Sequence, residues 1–466
     1  MRKEADALGD KEIEDGALWG IHTQRAIGNF ALSARRVPYS LISAIATVKH
    51  AAAMANGELG YLPPNIAESI GAACGKIENN EKEFAASFPL DALQGGAGTS
   101  TNMNVNEVIA NLALKAMGKK EGDYDVVHPL DHVNLHQSTN DVYPTALRIA
   151  AIGGLRSLNE ALAKLQGSFQ AKEKEFHDII KMGRTELQPA VPMTLGQEFS
   201  AYSEAIARDR WRTFKCEERL RMVNIGGTAV GTGLTAPRTY IFRVIEILRT
   251  LTGMGLARCE NVVDGTANAD AFVEVSGILK AAAANIAKIA GDLRLLHFIG
   301  EIALPPMQAG SSIMPGKVNP VAMESVLQAS LVVRANDFTI AECAAHGTLE
   351  INEFMPLIAS ALLESISILK NASLMLAPHI EGITADASRC REAVGDSPSL
   401  MTALLPYVGY ERTRLLMNEF CEIKKRNAEA YIKTFLSEKL GNEIANAVLA
   451  TPNFIGLGYV ERDDKK

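Results

Sequence analysis

Residues 271–296 read AFVEVSGILKAAAANIAKIAGDLRLL. Small residues, Ala281 to Ala284, Ala287 and Ala290, occupy almost every side of this stretch, while Val275, Ile278, Ile286, Ile289 and Leu293 supply bulk. A helix of that composition can be packed on all sides. Few helices of a lone monomer are enclosed in that way, so the stretch predicts that other subunits cover part of it. It also carries Glu274, Lys280, Lys288, Asp292 and Arg294. Charges at that density are costly in a bilayer, so the sequence predicts a soluble helix and no membrane partner.

Working outward, helical periodicity dominates. Leu155, Leu158, Leu162, Leu165 and Phe169 recur at steps of three and four, and the segments 197–224, 268–298, 321–345 and 355–377 run with few glycines or prolines. All exceed the usual helix length of ~11–12 residues, which predicts a bundle. Strand-like patterns are scarce, the nearest being Ile179–Lys181 and Thr228–Gly231. The expected fold is mainly α, with a central long-helix bundle. After Pro378 the chain turns more polar and gains Gly382, Gly395, Pro398, Pro406 and Gly409. The expected division is an N-terminal domain 1–140, a central helical domain 141–380 and a small C-terminal domain 381–466.

Composition narrows the function. The 466 residues are 47% hydrophobic and 22% charged, with net charge −7 and mean hydropathy +0.03. These values fit a folded globular chain and exclude an acid-rich disordered one. No cluster of Lys and Arg is dense enough to neutralise a phosphate backbone, so nucleic acid is not an expected partner. Cys74, Cys216, Cys259, Cys343, Cys390 and Cys421 lie far apart without a CxxC pair, and read as reduced, packed thiols. The start, Met1-Arg2-Lys3-Glu4-Ala5-Asp6, lacks an apolar signal core, which makes a cytoplasmic location the expectation.

Glycine-rich breaks fall at Gly95–Gly98, Gly226–Gly233 and Gly310–Gly316. Irregular segments placed by a rigid scaffold are where binding residues concentrate. The loop 308–320 contains Gly310-Ser311-Ser312-Ile313-Met314-Pro315-Gly316-Lys317-Val318-Asn319-Pro320. A phosphate-binding loop needs four residues before Gly-Lys and a hydroxyl after it. Here there are five, and then Val318, so that reading fails on both counts. What remains is a pair of adjacent hydroxyls, a lysine and an amide, a set able to hold a carboxylate and place a base, or to form an ordinary surface loop.

This loop resembles the signature of the aspartase/fumarase superfamily. Further blocks along the chain are similar to that family: Trp19–Ala26, Gly95–Asn104, His132–Asn134 leading to Gln137–Asp141, Gly183–Thr185 with Pro192–Glu198, and Thr228–Leu234. The resemblance implies a three-domain, mainly α lyase that forms a homotetramer, with active sites shared between subunits and no cofactor or metal. It implies that Ser311 is the general base, and that Lys317 and Asn319 hold the α-carboxylate. Thr99, Ser138, Thr139 and Ser312 would bind the second carboxylate, with Asn140, Thr185 and Glu186 around the leaving group. A serine hydroxyl is a poor base at neutral pH, so its alkoxide would need loop amides and cationic charge. Without the resemblance, each of these hydroxyls reads as a turn or cap residue. His132 and His136, four apart, could face one side of a helix as metal ligands, but no HExxH or acidic third ligand accompanies them, and a hydrogen-bonding role is expected.

Two departures bear on the substrate. Glu186 stands where aspartases and fumarases of the family carry Gln or His, and the stretch Leu293–Pro305 is shortened to His297-Phe298-Ile299-Gly300-Glu301. A carboxylate beside the leaving group repels hydroxide and attracts a cationic amine, which favours C–N over C–O cleavage. Glu186 could otherwise form a salt bridge to Arg184 or a neighbouring subunit. The resemblance implies elimination of ammonia from L-aspartate. The alternatives are an ergothionase-type loss of trimethylamine from ergothioneine, fumarate hydration, and a non-catalytic structural protein on the same scaffold.

Overall fold

The computed structural model describes residues 1–395, 397–449, Gly456 and Gly458. Five long helices carry the chain: Thr139–Glu175, Leu195–Leu220, Asp270–Ile299, Val321–Ala345 and Met355–Glu381. The sheets among the described residues are two-stranded. The mainly α expectation holds, and four of the five long helices match the periodic segments to within a few residues.

The fifth starts earlier than its leucine ladder. Thr139–Glu175 begins sixteen residues before Leu155 and contains Pro144. Its start is a capping box: the Asp141 carboxylate accepts from Ser138 N at 2.9 Å, while the Ser138 hydroxyl accepts from Asn140 N at 3.3 Å. Pro144 has no N–H for the Asn140 carbonyl, and Asn224 Nδ2 supplies the missing bond at 3.0 Å. Proline therefore sits inside the helix without leaving a buried acceptor unpaired.

Two compact units emerge, each assembled from three stretches of chain. The first comprises residues 1–160, 209–284 and 329–371. The first half of the Ala-rich helix belongs to it, with Ala282 and Ala283 buried. Ser330 Oγ donates to the Ala283 carbonyl at 3.0 Å, an approach that small side chains permit. The Arg148 guanidinium lies 5.0 Å from the Phe272 ring centroid. The helix Tyr39–Glu58 packs on Pro64–Asn79 through alanines and glycines.

The second unit comprises 161–208, 285–328 and 372–466. Phe169, Phe176, Phe199 and Tyr202 form its aromatic core, with edge-on and tilted rings 5.2 to 6.2 Å apart. The strand Ile180–Thr185 pairs antiparallel with Gln188–Thr194. The predicted strand at Ile179–Lys181 is thus part of a longer hairpin, whereas Thr228–Gly231 forms a turn. Leu400, Met401, Leu404, Leu416, Phe420 and Phe435 build a local core toward the C-terminus.

Met355–Glu381 is the one described helix long and apolar enough to cross a membrane. Its apolar window is 56% buried, as expected of a core helix.

Candidate active site

In the first unit, the sequence-predicted residues Thr99, Ser138, Thr139 and Asn140 gather at two helix starts. Thr99 opens the helix Thr99–Ala116, preceded by Gly98 at φ 93°. Only glycine fits there, because a Cβ would lie 2.3 Å from the Tyr143 ring. That close approach sets the Gly-rich turn against the Thr139–Glu175 helix. Asn102, in the first turn of Thr99–Ala116, donates to Thr139 Oγ1 at 3.1 Å. Two helix N-termini, each presenting the positive end of its dipole, therefore lie together.

The segment before Thr139 is tied down by buried polar groups that carried no role in the sequence reading. Asn134 Oδ1 accepts from Asn102 Nδ2, Asn106 Nδ2 and Lys49 Nζ, each at 3.2 Å. Asp141 is fully buried and accepts from Gly226 N and Thr228 N at 3.0 and 2.9 Å, besides its capping bond. Burial pushes its carboxyl up to about 6, against those backbone donors. Asn140 Nδ2 reaches the Ala229 carbonyl at 2.7 Å. The Gly-rich block 226–233 is thus docked on the helix start.

His132 and His136 are not on one helical face. His132 sits in a π-helical turn, Pro129–Val133, and its Nδ1 accepts from His128 N at 2.9 Å. His136 adopts φ 61° and lies 2.7 Å from Asn56 Oδ1 through Nδ1, its ring against Tyr61 and Tyr240. Burial lowers the pKa of both. Both have the hydrogen-bonding role expected of them. No group of three His, Cys, Asp or Glu side chains among the described residues is arranged to hold a metal ion.

In the second unit, Ser311, Ser312, Lys317 and Asn319 lie on one loop closed upon itself. Gly310 N donates to the Lys317 carbonyl at 2.7 Å, and Asn319 Nδ2 donates to the Gly310 carbonyl at 2.9 Å. Ser311 Oγ accepts from Met314 N at 2.9 Å and Ile313 N at 3.2 Å. The loop is open to solvent, with Ile313 84% exposed. The Lys317 ammonium has no carboxylate partner among the described residues.

Thr185 and Glu186 stand at the exposed tip of the Ile180–Thr194 hairpin. Glu186 and Leu187 both take positive φ, 52° and 63°. Glu186 does not pair with Arg184. Arg184 instead binds Glu301 at 2.7 Å, and Lys181, itself buried, binds Glu301 at 2.9 Å and Glu198 at 2.5 Å. Glu301 comes from the shortened stretch, which therefore holds the base of the hairpin. The structure gathers Thr99, Ser138, Thr139 and Asn140 at the paired helix starts of the first unit, and in the second unit carries Ser311, Ser312, Lys317 and Asn319 on one loop and Thr185 and Glu186 on the hairpin tip.

Comparison with known proteins gives a consistent result. A family model described as a lyase matches residues 9–335. Aspartate ammonia-lyase of Pseudomonas aeruginosa is 44% identical over 462 residues, covering 97% of this chain and 96% of that protein. A structure described as fumarate lyase:delta crystallin from Brucella melitensis bound to cobalt superposes with a TM-score of 0.91 at 42% identity, over 96% of this chain and 98% of that one. A recombinant class II fumarase from Schistosoma mansoni gives 0.89 at 30% identity, over 97% and 99%.

Proposed function

Since the chain belongs to the aspartase/fumarase superfamily of lyases, we propose that it eliminates ammonia from L-aspartate to give fumarate. The aspartate ammonia-lyases it resembles, at 41–47% identity over most of the chain, support this substrate over ergothioneine and malate.

In the proposed mechanism, the Ser311 alkoxide removes a proton from the carbon next to the side-chain carboxylate. The electron pair moves into that carboxylate, giving an aci-carboxylate with one more negative charge. Its return forms the C=C bond as the C–N bond breaks, and ammonia leaves. Thr99, Ser138, Thr139 and Ser312 bind the carboxylate that gains charge, where hydroxyls and helix N-termini act as an oxyanion site. Lys317 and Asn319 hold the α-carboxylate, and Asn140, Thr185 and Glu186 surround the departing amine. No cofactor takes part in this scheme.

The single observation carrying the assignment of the base is the pair of loop amides on Ser311 Oγ. Two N–H donors aimed at one hydroxyl oxygen stabilise it better as an anion than as an alcohol. Lys317 adds a nearby cation on the same short loop.

The three-domain division 1–140, 141–380 and 381–466 belongs to this reading, as do a homotetramer with sites shared between subunits and a cytoplasmic location. Exposed apolar side chains on the long helices support the assembly: Trp211 and Phe214, Leu331 and Phe338, and Phe298 are each 60% exposed or more.

The test is ultraviolet absorbance of the unsaturated product on separate incubation with L-aspartate, L-malate and ergothioneine, the product being fumarate from the first two and thiourocanate from the third. Fumarate from aspartate is expected. Turnover of malate or ergothioneine without aspartate turnover overturns the reading.

A further inference from the structure

Lys49 is the one lysine in an apolar run of the Tyr39–Glu58 helix, and none of its surface reaches solvent. Its ammonium meets two neutral acceptors, Asn134 Oδ1 at 3.2 Å and Gln137 Oε1 at 3.3 Å. No carboxylate lies within ion-pair distance of it among the described residues. A buried cation without an anion is costly, and structures retain one only where something repays the cost.

The acceptors it holds lead to the site. Asn134 also takes Asn102 Nδ2, and the same Nδ2 group donates to Thr139 Oγ1. Asn56, two helical turns beyond Lys49 on the same face, donates to the Leu135 carbonyl at 3.2 Å and meets His136 Nδ1. The helix thus grips the turn 134–137 that launches Ser138 and Thr139.

We propose that Lys49 is a positioning residue for the carboxylate-binding hydroxyls, and that the missing counter-charge is the substrate carboxylate received beside Thr139, so that binding a dicarboxylate and protonating Lys49 are linked. This rests on the reading of Ser138 and Thr139 given above. The titratable groups facing Lys49 are Cys74 from the Pro64–Asn79 helix and Asp141 from the Thr139–Glu175 helix. Asn102 and Asn106 from Thr99–Ala116 meet it through Asn134, and His136 lies in the turn it holds. Burial pushes the Cys74 thiol up and the His136 imidazole down, so both stay neutral. Burial lowers Lys49 to about 7, against the attraction of Asp141. At pH 8 the ligand-free amine is therefore mostly neutral, and an arriving dicarboxylate draws a proton onto it.

The experiment is titration calorimetry of the full chain with succinate, an unreactive dicarboxylate, at pH 8 in two buffers of unlike ionisation enthalpy. Wild type is expected to take up protons on binding. Lys49→Met and Lys49→Gln should lose that uptake and bind about tenfold more weakly, with KM for aspartate rising by more than kcat falls. Absence of uptake in wild type, or uptake that persists in both variants, overturns the proposal. If either variant fails to fold, the wild-type measurement still decides. Ser138→Ala and Thr139→Ala separate the two readings. If they bind succinate as wild type does, the carboxylate assignment fails. If they weaken binding while the Lys49 variants change neither affinity nor uptake, that assignment stands and the role of Lys49 falls.

Discussion

The turn 134–141 and the loop 308–320 each carry residues of the proposed mechanism and are built in opposite ways. The first is buried and cross-tied, with Asn134 taking three donors and Asp141 three backbone amides. The second is exposed and bonded chiefly to itself, through Gly310, Lys317 and Asn319. Few buried contacts and open backbone hydrogen bonds mark a segment of low local stability. The difference leaves the hydroxyls of Ser138 and Thr139 on a preorganised turn and Ser311 on a segment with little outside itself to hold it in place.

Substitutions can break that contrast. Ser311→Ala is expected to lower kcat by about 10³-fold or more, the range of a lost general base, with Tm unchanged because the loop supports nothing else. Turnover near the wild-type rate would remove Ser311 from the mechanism. Asp141→Ala should do the reverse. It strands buried amides of Ser138, Gly226 and Thr228, at a cost of about 3 kcal/mol to the folded state, read as a fall in the denaturation midpoint. Gly310→Ala sharpens the loop side. A Cβ there would stand 2.8 Å from the Lys317 carbonyl and 3.0 Å from Asn319 N, so the loop cannot close as it does. We expect kcat to fall by about tenfold to a hundredfold at constant Tm, measured by steady-state kinetics and thermal unfolding.

The buried side of this contrast should also carry a pH signature that the loop lacks. Asp141 is raised from 3.8 to about 6, so the folded state binds more protons than the unfolded one across that window. Its contribution to stability falls as pH rises from about 4 to 6. Lys49 is lowered from 10.5 to about 7, so here the unfolded state binds more protons and stability rises with pH from about 7 to 10. The pair together gives a minimum in its contribution between about pH 6 and 7. The Tm difference between wild type and Asp141→Asn, or Lys49→Met, followed against pH, should show one slope each. Parallel curves would mean that neither group titrates as described.

Much of this was legible in the sequence, for reasons that differ by region. The long helices were, because their apolar spacing repeats over many turns and Ala-rich packing leaves a compositional mark. The loop was, because its resemblance is concentrated in eleven consecutive residues. The early start of Thr139–Glu175 was not, because Pro144 reads as a breaker unless one knows that Asn224 replaces the missing donor. Lys49 was missed for a related reason: its partners lie 85 and 88 residues away, and the only local trace is one cation within an apolar helical face.

Glu186 sharpens the comparison at the smallest scale. The Glu186-Leu187 tip has positive φ at both central positions, which two-residue hairpins usually give to Asn-Gly. Holding two non-glycine residues there costs about 1 kcal/mol or more each. Leu187→Gly should therefore raise Tm modestly, and failure to do so would mean that Leu187 is not strained. The Glu186 carboxylate is exposed and unpaired among the described residues, so its attraction for a departing ammonium is screened. Exposed pairs are worth about 0.2–1 kcal/mol, which limits the loss of kcat/KM for aspartate in Glu186→Gln to about fivefold. A far larger loss, with fumarate binding unchanged, would mean that the hairpin tip is shielded from solvent during turnover, and that Glu186 belongs with the preorganised residues after all.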